Sequence, residues 1–285
     1  MKRIKIDSVM QGDILFTARP GKTSKGIRFT TGGLVSHAMI CVANGSFIDS
    51  TRNGVQARNL QRELFEDDEQ AFHFRLKIPP ERQILAQVID YARAEIGARY
   101  SLTEAARSVS PFRSSSSKKQ FCSRLVARVF NQAGIELVPN ANYCTPEDLR
   151  QSPLLKELTV EFESVTIEEL ALMSGGLNPV DAMHDAQNAV LEAARSVDSK
   201  IESFNDLYAL LVKRPETDQV IANALVSSGY LDLWKKEVAR HPWRYTSGLM
   251  DKLSEPPKLL CDYCIGTIKE AYSGGVRFAI NLIQC

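Results

Sequence analysis

The sequence predicts an α+β protein: an antiparallel sheet with helices over residues 1–164, followed by an all-α region over residues 165–285. Three observations lead there. Short apolar runs separated by turn signals fill residues 1–80, which is the pattern of strands joined by tight connections. At Glu81 the apolar period changes to that of a helix. Beyond Val165 the strand signals cease and amphipathic helical stripes follow one another, which places a domain boundary between 1–164 and 165–285.

In order along the chain, Gln11, Gly12 and Asp13 form a turn that delivers a short apolar strand over 14–17. A polar, basic stretch over 22–31 is closed by Gly32 and Gly33. Residues 35–42, Val-Ser-His-Ala-Met-Ile-Cys-Val, make a buried strand with His37 at its beginning. Asn44-Gly45 is a hairpin signal, because both residues tolerate the positive φ of a tight turn, and 46–51 returns as the next strand. Further strands are expected over 54–58 and 72–78, the latter stopped by Pro79 and Pro80. Ile84, Leu85, Val88, Ile89, Ala92 and Ile96 then form one helical stripe that ends at Gly97. Residues 108–119, with serine at every position from 114 to 117, read as a surface loop. A second helix begins at Cys122, carries Leu125, Val126, Val129 and Phe130 at helical spacing, and stops at Gly134. Thr145-Pro146-Glu147-Asp148-Leu149 is an N-capped turn with proline at the first helical position. A last strand is expected over 158–162. Helices follow over 167–173, 180–197, 201–212, 219–226, 231–238 and 259–272.

Composition excludes several classes. A hydrophobic share of 44% and a charged share of 24% are those of a soluble globular protein, and a net charge of +1 gives no basis for a nucleic-acid partner. No stretch is long and apolar enough for a transmembrane segment, and residues 1–7 lack the apolar run of a signal peptide, so a chain made in the cytoplasm is expected. The six cysteines are irregularly spaced, which points to reduced thiols rather than a disulfide framework.

Cys122 falls in the first turn of its helix, where unpaired N–H groups and the helix dipole favour a thiolate. Most cysteines are inert packing, so the position matters only if a base lies nearby. A cysteine hydrolase needs a thiolate, an imidazole that takes and returns its proton, and a polar group that fixes the second ring nitrogen. His37 supplies an imidazole at a strand start, although a strand histidine by itself reads as a core residue. Antiparallel neighbours share a face, which makes Asp49, just past the hairpin, the best placed acid and Gln56 the fallback. His73, His184 and His241 have no comparable partners and read as structural or surface residues. Cys261-Asp262-Tyr263-Cys264 has no second ligand pair at zinc spacing and no strand before it for a redox pair, so neither metal nor cofactor is expected.

Taken together, Gly12-Asp13-Ile14-Leu15-Phe16, Ser36-His37-Ala38-Met39-Ile40, Phe47-Ile48-Asp49-Ser50, Gly97-Ala98-Arg99-Tyr100, Phe121-Cys122-Ser123 and Thr145-Pro146-Glu147-Asp148-Leu149 resemble the permuted papain-fold group of YiiX/YaeF-like proteins, relatives of NlpC-type peptidases and of lecithin retinol acyltransferase. The order His, acid, Cys is that of a circularly permuted papain-like domain. The resemblance implies a cysteine hydrolase of amide bonds in peptide or peptidoglycan-type substrates, with Cys122 as nucleophile, His37 as base and Asp49 as the orienting group. It also implies that the Cys122 N–H serves the oxyanion and that Tyr100 borders the substrate pocket. Gln120 is a further oxyanion candidate only because it is close to Cys122 in sequence. Other readings are a lipid acyl hydrolase or acyltransferase, a binding module without catalysis, and a bacterial effector delivered by a dedicated secretion system, with an inhibitor or immunity partner.

Overall fold

The computed structural model describes residues 1–18, 24, 28–29, 32–43, 45–100, 120–175, 178–246, 248–254, 258, 260–261 and 264–265. The loop expected over 108–119, most of the stretch 22–31 and most of the helix expected over 259–272 lie outside them. The chain divides into two compact units, Met1–Ala224 and Leu225–Cys285.

The described strands are β1 (Lys2–Ile4), β2 (Ile14–Thr17), β3 (His37–Ala43), β4 (Ser46–Thr51), β5 (Gly54–Asn59), β6 (Ala71–Leu76), β7 (Leu155–Leu158) and β8 (Phe162–Ser164). Six of them form one sheet in the order β5-β4-β3-β2-β6-β7, and β1 pairs with β8 in a separate ribbon. Every pairing among these described strands is antiparallel. The helices of the first unit include α1 (Arg82–Ala94), α2 (Cys122–Gln132), α3 (Pro146–Arg150), α4 (Ile167–Ser174), α5 (Pro179–Val197) and α6 (Phe204–Lys213). From Ile167 onward the described regular elements are all helical, ending with α7 (Asp218–Ser227), α8 (Leu233–Arg240) and short 3-10 turns. The secondary structure changes at residue 165, whereas the compact units part after Ala224.

Both faces of the large sheet are covered, which is why 35–42 is almost continuously apolar rather than alternating. Ile14, Phe16, Ala38, Ile40 and Ile48 face one core with Val88 and Ala92 of α1 and Leu125, Val126 and Val129 of α2. Leu15, Met39, Cys41 and Phe47 face a second core with Ile4, Val9, Leu60 and Phe65. Gly45 turns the β3–β4 hairpin at φ +68.

One expectation needs correction. The single strand over 158–162 is two short strands, because the chain changes sheets there: β7 extends the large sheet beside β6, and β8 pairs with β1. Val160 and Phe162 pack on the second core during this passage. The unexpected β1 carries Lys2 and Arg3, and Arg3 bonds Glu163 across the ribbon and Glu169 of α4.

Candidate active site

Cys122 is the first residue of α2, and the N-cap, Phe121, makes no side-chain cap. The first-turn N–H groups are therefore left for other acceptors. The helix is firmly seated. Leu125, Val126, Val129 and Phe130 are wholly buried, each contributing about 1.5–3 kcal/mol relative to an exposed side chain. Arg124 is buried between the rings of Phe121 and Tyr143, 5.6 and 5.4 Å from their centres.

The Thr145-Pro146-Glu147-Asp148-Leu149 motif ties the two halves of the site together. Thr145 and Asp148 form a reciprocal capping box that starts α3. Just before it, the Cys144 carbonyl accepts from Ser123 Oγ at 2.7 Å, next to Cys122. Just inside it, Glu147 Oε2 accepts the Leu34 N–H at 2.9 Å, on the segment that enters β3. One turn thus holds both the helix of the thiol and the approach to the imidazole.

His37 opens β3, opposite Thr17. Alternation gives it the parity of Met39 and Cys41, on the face away from α2. In mid-strand the sheet would separate such a residue from Cys122. At the strand's first position the imidazole reaches past the sheet end. Its Nε2 lies 2.8 Å from Asp49 Oδ2, and the same side chain hydrogen-bonds Cys122. With Nε2 engaged by Asp49, Nδ1 is the atom left to face the sulfur.

These contacts set the protonation states. Burial pushes the Cys122 thiol up, but the charge and hydrogen bond of His37, aided by the Ala38 and Ser123 N–H groups, bring it below its ordinary value. Burial pushes His37 down, yet the Cys122 charge and the Asp49 bond outweigh it and raise the imidazole to about 10. Both shifts run in the direction that favours a thiolate beside an imidazolium. Asp49, only 2% exposed, is held below the carboxylate range against its own burial by His37 and Arg58.

Arg58 is the residue that sequence reasoning missed. Its Nε lies 3.0 Å from Asp49 Oδ1 and 2.9 Å from Oδ2. It stands opposite Phe47 in the β4–β5 pairing, the register that also sets Asp49 against Gln56. The sequence signal was a strand arginine sharing parity with Gln56, which gains meaning only once β4 and β5 are aligned. The fallback Gln56 donates instead to the Asn53 carbonyl at 3.3 Å.

Tyr100 lies within electrostatic reach of Cys122: burial first, and then the cysteine charge, raise its phenol to about 12. Gln120 is wholly buried, and its Nε2 donates to Glu95 Oε2 at 2.6 Å, so that its described bond is to Glu95 and not to the oxyanion position expected for it. His73 does have an acidic partner, contrary to expectation: its Nε2 is 2.7 Å from the buried Asp13. His184 on α5 is also mostly buried and lies beside Ala57, Arg58 and Asp49. Among the described residues no group of His, Cys, Asp and Glu could hold a metal ion, and no helix is long and apolar enough to cross a membrane.

The model of the permuted papain-like amidase enzymes, YaeF/YiiX, C92 family, matches residues 8–171. Among solved structures the chain is similar to yiiX from Escherichia coli O157:H7, described as a metalloprotein, with 16% identity and a TM-score of 0.44 over 53% of this chain and 97% of that one. No curated protein matches. Because the match to the family model spans more than half of the 285 residues, the chain belongs to the YaeF/YiiX family of permuted papain-like amidases, and is a papain-like cysteine hydrolase.

Proposed function

We propose that the protein cleaves amide bonds in peptide-type substrates, those of peptidoglycan included, through an acyl-enzyme on Cys122. The observation that supports this best is the doubly engaged imidazole of His37, with Asp49 on Nε2 and the Cys122 sulfur on its other side. The thiolate attacks the carbonyl carbon, and the oxyanion forms beside the first-turn N–H groups of α2, the Cys122 N–H first among them. The His37 imidazolium gives its proton to the amide nitrogen, the C–N bond breaks, and the amine leaves a thioester on Cys122. Neutral His37 then takes a proton from water, hydroxide attacks the thioester, and collapse releases the acid and restores the ion pair. Asp49 remains ionised and keeps the ring in place throughout.

The test is the pH dependence of Cys122 alkylation by iodoacetamide, in the intact protein and in His37→Ala. A thiol that reacts below neutral pH, and whose pKa moves toward about 8.5 without His37, is the expected result. Slow alkylation that is indifferent to His37 would mean a buried packing cysteine and would overturn the proposal.

A further inference from the structure

A cavity of about 370 Å³ opens in the first unit between the β4–β5 turn, the segment that follows α1, and helix α5. Its size suits one or two amino-acid side chains. Arg52, Arg99 and Arg195 line it together with Tyr100, and Glu192 is the only acid among the described lining residues. The guanidinium groups of Arg195 and Arg99 are fixed in the wall. Arg195 donates to the carbonyls of Gly97, Ile201 and Glu202 at 2.8, 3.0 and 3.0 Å, and Arg99 is held by Glu202 at 2.6 Å. Glu192 pairs with Arg195 and is 68% exposed, so it is well screened by water.

The cavity lies at the reacting end of the sheet. Met39 stands opposite Asp49 in the β3–β4 pairing, so that His37, two residues earlier, comes level with Thr51, immediately before Arg52. Tyr100, on the opposite wall, is the lining residue that senses both the Cys122 and the Arg52 charges. The floor tolerates no larger residue at Gly97, whose φ is +92 and where a Cβ would run into Leu191. The α5 wall lies beyond residues 8–171, the part matched by the family model, whereas the Arg52 and Tyr100 walls lie within it.

We propose that this cavity is a subsite for a carboxylate carried by the substrate, which makes the enzyme an amidase of acidic peptides. Guanidinium groups favour a planar, bidentate anion, and exposed Arg52 at the rim is placed to meet it first. The inference rests on the reading of Cys122 as the nucleophile.

The test uses affinity labels in which the Cys122 thiolate displaces chloride to form a thioether: chloroacetyl-glutamyl amide against its neutral glutaminyl counterpart. The rates are compared as a ratio on the same preparation, so that changes in thiol reactivity cancel. The glutamyl label should react about tenfold faster and saturate, as one charge-assisted contact allows. Arg52→Gln should bring the ratio toward one, Arg52→Lys should keep most of it, and Arg52→Glu should turn it against the acid. Equal, fast rates in the intact protein, or a preference that survives Arg52→Glu, would overturn the subsite. Faster labelling by chloroacetyl-phosphoethanolamine than by the glutamyl label would replace the carboxylate with a phosphate headgroup. If both labels react no faster than with His37→Ala, the nucleophile reading itself fails.

Discussion

Two aspartate–histidine–arginine clusters lie on the same face of the six-stranded sheet, built from the same groups at nearly the same distances. In one, Asp49 accepts from His37 at 2.8 Å and from Arg58 at 3.0 Å. In the other, Asp13 accepts from His73 at 2.7 Å and from Arg75 at 2.6 Å. In both, burial pushes the carboxyl up and the histidine and arginine bonded to it bring it down further, to a net value below the ordinary range. What differs is the far side of the imidazole. His73 is 1% exposed, and its Nδ1 is buried without a hydrogen-bond partner among the described residues. His37 is 24% exposed, at a strand end, with a thiol before it at a helix start. Cys41, a thiol within electrostatic reach of Arg75, donates its proton to the Ala43 carbonyl. A carboxylate, an imidazole and an arginine therefore make a pillar of the fold in one place, and in the other a device for holding a proton beside sulfur.

The comparison breaks most sharply at Cys122 and His37. Alanine at either should lower amide hydrolysis by about 10³-fold or more, with thermal unfolding close to that of the parent. The intact enzyme should also lose hydrolysis as the pH rises through about 10, because His37 then has no proton for the leaving amine. Alkylation, which needs only the thiolate, should stay high there. A hydrolysis rate and an alkylation rate that fall together on the alkaline side would contradict this division of roles.

The second cluster should respond in the opposite currency. Asp13→Asn leaves Arg75 and His73 without their shared carboxylate and should cost about 3 kcal/mol in denaturant unfolding, while the alkylation pH profile of Cys122 stays in place. The sign of the pH dependence follows from the lowered Asp13 value: its stabilisation is present above the ordinary carboxylate range and is lost as the pH falls through the lower folded value. The parent should thus lose this increment in acid, below about pH 4, and Asp13→Asn should show a flatter acid limb. A shifted Cys122 titration in Asp13→Asn would mean that the two clusters are coupled through the sheet.

How much of this could be read from the chain depends on the range of each interaction. The hairpin at Gly45, the His37 strand and Asp49 lie within one short stretch, where turn chemistry and alternation suffice. The position of Cys122 was visible because a serine-rich stretch gives way abruptly to an apolar helical stripe. Asp13 and His73 stand 60 residues apart and meet through the β2–β6 pairing, which no local pattern announces. Glu147 reaching back to Leu34 is longer range still. The break between β7 and β8 was hidden for a related reason, since the two strands belong to different sheets and only their partners distinguish them.

Arg58 offers the finest test of the contrast, because it separates a positioning group from an ordinary ion pair. Its side chain is 35% exposed, and a surface pair of that kind contributes little on its own. Its partner is different. Asp49 is 2% exposed and would be left with His37 as its one cation, so its affinity for a proton should rise. A protonated Asp49 no longer supports the imidazolium, and the acid limb of hydrolysis should move to higher pH. Arg58→Gln should therefore lower kcat about tenfold near neutrality, as expected for one lost charged hydrogen bond, with KM little changed because Arg58 is not proposed to touch substrate. Arg58→Lys should recover part of the rate, since it restores the charge without the directed Nε–H. An acid limb that stays in place in Arg58→Gln, with only the melting temperature reduced, would return Arg58 to the same purely structural class as Arg75.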